Sequence, residues 1–93
     1  MSKFYKELKE LRESRKISLD EISERTKINV QYLQYIEKGD FEEIEAPYLR
    51  LFLRAYAEEI GSDSKRALEQ LDSYFGENKA STLQAKNSSN IPT

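Results

Sequence analysis

The stretch from Ile17 to Gly39, ISLDEISERTKINVQYLQYIEKG, limits what this chain can fold into more than any other, because it holds two helix starts and one helix stop. Ser18 opens S-L-D-E, so its hydroxyl can accept from the Glu21 amide while the Glu21 carboxylate reaches back, forming a capping box. Ile17 before that cap and Ile22 after it supply a hydrophobic staple. Asn29 repeats the arrangement, with Ile28 before it and Leu33 four residues on. Gly39 supplies the left-handed residue that ends the second helix. The segment therefore predicts two short helices around a tight turn.

A helix-turn-helix that reads DNA is expected to be basic. Here Arg25, Lys27 and Lys38 stand against Asp20, Glu21, Glu24 and Glu37, one acid in excess. In a DNA reader the second helix places its N-terminal side chains on base edges, which in this chain are Val30, Gln31 and Gln34, with Lys38 near the backbone. Gln31 and Gln34 suit adenine and Val30 suits a thymine methyl, but that helix has no arginine for guanine, and Glu37 offsets Lys38. A sequence-specific DNA-binding regulator is the alternative reading. The charge favours a partner other than nucleic acid.

Ninety-three residues with 38% hydrophobic content permit one small domain. With no cysteine and no histidine, the chain has no disulfide framework, thiol nucleophile or zinc site of the usual kind, and no enzyme, cofactor or metal centre is expected. Its apolar runs are too short to span a bilayer and MSKFYKELK lacks the apolar core of a signal peptide, so the sequence predicts a cytoplasmic domain. Asp40, Glu42, Glu43 and Glu45 lack the register of a calcium loop; they read instead as complements to the dipole of the helix that follows. Lys3, Lys6, Lys9, Arg12, Arg15 and Lys16 alternate with Glu7, Glu10 and Glu13. That pattern predicts a solvated face of paired charges, with an anionic partner surface or acidic lipids as the alternative.

Helix one is predicted from Lys3 to Arg15, facing the core with Phe4, Leu8 and Leu11. Helices two and three bury Leu19, Ile22, Leu33 and Ile36, and the connector GDFEEIEAP turns Phe41 and Ile44 inward. Pro47 suits the first turn of helix four, which runs to Ile60 and stops at Gly61. Asp63 or Ser62 caps helix five, whose stripe is Ala67, Leu68, Leu71, Tyr74 and Phe75. After Gly76 the sequence ENKASTLQAKNSSNIPT is polar and aperiodic. The fold class is all-α, a five-helix bundle over residues 1–76 with a flexible polar tail or linker over 77–93.

Helix four carries more apolar surface than one buried face uses. Leu49, Leu53, Tyr56, Ala57 and Ile60 complete a core stripe, while Tyr48, Leu51, Phe52 and Ala55 form a second one roughly 100° round. Arg50, Arg54 and Glu58 take the third face. The second stripe predicts an exposed patch for a partner; burial under helix one or five is the competing structural reading.

The motif of residues 17–39 resembles the phage-repressor type of helix-turn-helix, and the continuation GDFEEIEAPYLRLFLRAYAEEIG is similar to the extended helix-turn-helix domain of the RodZ family. The second match is the more specific, and the resemblance covers residues 3 to 75. Where phage-type repressors often carry glutamine at the start of the first motif helix, this chain has Leu19, which bonds no phosphate. RodZ proteins are membrane-anchored bacterial morphogenetic proteins whose cytoplasmic domain binds the actin-like protein MreB, linking the cytoskeleton to cell-wall elongation. The resemblance implies MreB as partner, with Tyr48 and Phe52 as anchoring aromatics, Leu51 and Ala55 as packing neighbours, and Arg50 and Arg54 as polar rim. It also implies a cytoplasmic domain of a protein anchored in the bacterial inner membrane. Residues 77–93 would then begin the linker to a transmembrane helix that is absent from these residues.

Overall fold

The computed structural model describes residues 3–78, and the regular elements among them are all helical. They are α1 (Phe4–Ser14), α2 (Leu19–Thr26), α3 (Val30–Lys38), α4 (Ala46–Glu59) and α5 (Ser64–Asn78), with a 3₁₀ turn at Phe41–Glu43 before α4. The all-α, five-helix expectation is met.

Local chemistry sets the ends of these helices. The Glu21 amide donates to Ser18 Oγ at 3.0 Å and the Ser18 amide to Glu21 Oε1 at 2.9 Å, completing the capping box. Asn29 Oδ1 accepts from the Gln31 amide at 2.8 Å, and Gly39 ends α3 at φ +80°. Asp63, rather than Ser62, caps α5 by accepting from the Arg66 amide at 3.2 Å. The turn inside the motif holds Lys27 at φ +65°, a left-handed position that its sequence does not advertise. Thr26 braces it, donating from Oγ1 to the Ile22 carbonyl at 2.7 Å and accepting there from the Ile28 amide at 3.2 Å. Helix α5 continues through Gly76 to Asn78; the tail read from the sequence lies, from residue 79 on, outside the described residues.

The core draws on every element. Leu8, Ile22, Leu33, Ile36, Leu53 and Leu71 are buried, as are Phe41 and Ile44 of the connector. Each such side chain contributes about 1.5–3 kcal/mol by leaving water. Phe41 joins the two ends of the domain. Its ring lies 5.9 Å from Phe4, 5.5 Å from Tyr5, 5.3 Å from Tyr74 and 6.0 Å from Phe75, so α1 and α5 close over the 3₁₀ turn through one aromatic cluster.

Two charges that the sequence places on the surface are inside. Arg12 and Glu37 are buried and form a two-pronged pair, Arg12 Nε to Glu37 Oε2 at 2.6 Å and Nη2 to Oε1 at 3.1 Å. Arg12 Nη1 also donates to the Ile17 carbonyl at 2.8 Å, and the buried Tyr56 hydroxyl donates to Glu37 Oε2. The Glu37 hydrogen bond raises the Arg12 pKa further, against the effect of burial. Burial, with the Glu37 carboxylate beside it, pushes the Tyr56 phenol well above its usual range. The face expected of helix one is solvated at Lys3, Lys6, Glu7, Lys9, Glu10, Glu13, Arg15 and Lys16, but its expected lacing of pairs and the place of Arg12 on it are corrected here. Arg12 leaves that face for the interior, where it ties α1 to α3 and, through Glu37, to Tyr56 on α4. Within α1, the one ion pair among the described residues is Arg12 with Glu13 at 3.9 Å.

Candidate functional site

Leu49, Leu53, Tyr56, Ala57 and Ile60 of α4 all face the core. The second stripe divides. Tyr48 and Leu51 are 51% and 58% exposed, whereas Phe52 and Ala55 are half-buried and pack against the core. Phe52 is thus part floor and part surface. The Tyr48 ring stacks on it at 5.9 Å with an interplanar angle of 17°, and the Tyr32 ring of α3 lies 5.3 Å from it.

Tyr32, 38% exposed, is the residue that sequence reasoning missed. It precedes Leu33 on α3, and only the packing of α3 on α4 brings its ring to Phe52. Its signal was present as a large aromatic at the flank of the Leu33–Ile36 stripe. The result is a continuous run of three rings, Tyr32, Phe52 and Tyr48, across two helices. Below it opens a groove of about 390 Å³ lined by Tyr32, Glu43, Ile44, Glu45, Tyr48 and Phe52.

The two arginines assigned to the rim are held by neighbours. Arg50 pairs with Asp72 of α5, and Arg54 Nε lies 3.2 Å from Glu58 one turn on. All four side chains are exposed, so each pair contributes on the order of 0–1 kcal/mol and orients the cation rather than stabilising the fold.

The DNA-facing residues of the alternative reading are also accessible. Gln31, Gln34 and Lys38 are exposed on the outer side of α3 and Val30 is half-buried. Gln31 Nε2 donates to the Tyr35 hydroxyl at 2.9 Å. With Glu37 buried against Arg12, the exposed charges of the motif cancel, and Arg25 lies 3.6 Å from Glu59. The motif surface therefore offers no excess of cations to a phosphate backbone. Among the described residues no group of acidic side chains converges to hold a metal ion, and no helix is long and apolar enough to cross a membrane.

Residues 7–67 match the model of a family described as a helix-turn-helix domain. The chain is 36% identical over 55 residues to the uncharacterized membrane protein YmfM of Bacillus subtilis, a match that covers 58% of this chain and 19% of that protein. It is 36% identical over 58 residues to the cytoskeleton protein RodZ of Streptococcus pneumoniae, covering 61% of this chain and 21% of that protein. The matched region thus spans about a fifth of the length of these curated relatives. No solved structure gives a significant match.

Proposed function

The chain belongs to the helix-turn-helix domain family, in its RodZ-type form, and from that premise we propose that it is a non-enzymatic cytoskeletal adaptor domain that docks MreB through α4. The observation that carries the reading is the three-ring run, because exposed, pre-positioned aromatics are what a protein interface uses as anchors. Phe52 is fixed by the core, and α3 and α4 are joined through Glu37 and Tyr56. The rings are therefore ordered before any partner arrives, and little conformational entropy opposes association. Tyr48 and Phe52 act as anchors, Leu51 and Ala55 extend the apolar contact, and Arg50 and Arg54 border it. In a longer chain tethered to the inner membrane, the domain would lie on the cytoplasmic side and connect filaments to the membrane and to cell-wall elongation.

Co-sedimentation with polymerised MreB tests this reading. The parent domain is expected to pellet with filaments, and Tyr48→Ala/Phe52→Ala to remain in the supernatant with its helical circular dichroism retained. A folded parent that stays in the supernatant refutes the adaptor reading. The exposed Gln31, Gln34 and Lys38 favour the alternative, a DNA-binding regulator. Its signature is DNA binding that falls steeply with salt and is lost in Gln31→Ala/Gln34→Ala.

A further inference from the structure

We infer that the groove between the 3₁₀ turn, α3 and the first turn of α4 receives a cationic side chain, preferentially arginine, carried by a protein segment that also contacts the aromatic run. This rests on the docking reading and adds the chemistry of what docks. The groove's walls are of two kinds, the rings of Tyr32, Tyr48 and Phe52 and the exposed carboxylates of Glu43 and Glu45. Aromatic faces attract cations, and a planar guanidinium both stacks on a ring and pairs with a carboxylate.

The carboxylates are available for that role. Among the described residues neither Glu43 nor Glu45 has an ion pair or a side-chain hydrogen bond, whereas Arg50 and Arg54 of α4 are engaged by Asp72 and Glu58. Glu45 is the N-terminal cap residue of α4 yet caps nothing with its side chain. The helix dipole offsets part of this negative charge, but its positive end is equivalent to only about half a unit charge against two carboxylates. The groove remains net negative beside an apolar floor. A neutral apolar segment would leave both carboxylates without a counter-charge at the edge of the contact, and an acidic one would be repelled.

The test uses two blocked tripeptides, acetyl-Leu-Arg-Leu-amide and its citrulline counterpart, which differ in charge but hardly in shape. Titrated into the isotope-labelled domain and followed by NMR, the arginine peptide is expected to shift resonances of Tyr32, Glu43, Glu45 and Tyr48. It should bind about three- to tenfold more tightly than the citrulline peptide. Glu43→Gln/Glu45→Gln should remove that preference without changing the fold. Equal affinity for the two peptides, shifts confined to other surfaces, or no shifts at millimolar peptide overturns the inference. The same variant in MreB co-sedimentation separates the two claims. Pelleting that depends on Tyr48 and Phe52 but ignores both carboxylates keeps the adaptor reading and overturns the cation. A peptide response at the groove in a domain that never pellets keeps the cation and refutes the choice of partner.

Discussion

Replacing Arg12 with leucine removes the cation of the buried Arg12–Glu37–Tyr56 network while leaving an apolar side chain of moderate size. Arg12 gives two hydrogen bonds to Glu37 and one to the Ile17 carbonyl, so the change strands a carboxylate whose remaining partner is the Tyr56 hydroxyl. Glu37 is only 8% exposed, and water replaces little of what is lost. Removing one partner of a buried ion pair costs about 3–5 kcal/mol. A small domain has roughly 5–10 kcal/mol of stability in total, so about a third or more of it goes. At about 4–8 °C per kcal/mol, the lower figure corresponds to a fall in Tm of at least about 12 °C. Thermal melts followed by circular dichroism at pH 7 measure it directly. The triple variant Arg12→Leu/Glu37→Leu/Tyr56→Phe, which removes the stranded charge together with both partners, should recover most of the loss. An Arg12→Leu domain melting within about 4 °C of the parent, a loss of under about 1 kcal/mol, would show that the pair is solvated in solution and that the reasoning is wrong.

Three further outcomes follow from the same geometry. Burial holds the Tyr56 phenol protonated in the folded state, so the unfolded chain gives up this proton first as pH rises above the ordinary value of 10.0. The associated stability is complete below that pH and declines above it by up to about 1.4 kcal/mol per pH unit; urea titrations at pH 9, 10 and 11 should show a shallower decline in Tyr56→Phe than in the parent. Gly39→Ala forces a Cβ into a φ of +80° and to within 2.5 Å of the Tyr5 ring, so it should cost more than the ~1 kcal/mol of backbone strain alone, measured by urea denaturation. Arg50→Ala breaks only an exposed pair with Asp72 and should change stability by less than about 1 kcal/mol in the same assay; a larger loss would mean that the pair holds α4 against α5.

The helix ends at Ser18, Asn29 and Gly39 and the inward stripe of α4 were legible because each is written within a few residues, whereas the left-handed stop of α2 at Lys27 was not. A cap needs a side chain and an amide two or three positions apart, and a stripe needs only the 3.6-residue period. The candidate site was half legible on the same terms. Tyr48, Leu51, Phe52 and Ala55 share a helix face whatever the rest of the chain does, but their degree of exposure does not follow from that face. Tyr32 and the groove with Glu43 and Glu45 belong to other elements and join the site only through packing.

The sequence by itself thus determined the helix-turn-helix, its caps at Ser18, Asn29 and Gly39, and the doubled apolar surface of α4, all consequences of short-range hydrogen bonding and periodicity. Tertiary structure decided the rest. Arg12 and Glu37 are 25 positions apart and read as ordinary surface charges until α1 and α3 pack. Burial of a charge depends on what closes over it, and that is a property of the assembled helices. The same packing sets Phe52 between Tyr32 and Tyr48, making a stripe on one helix into a surface shared by two.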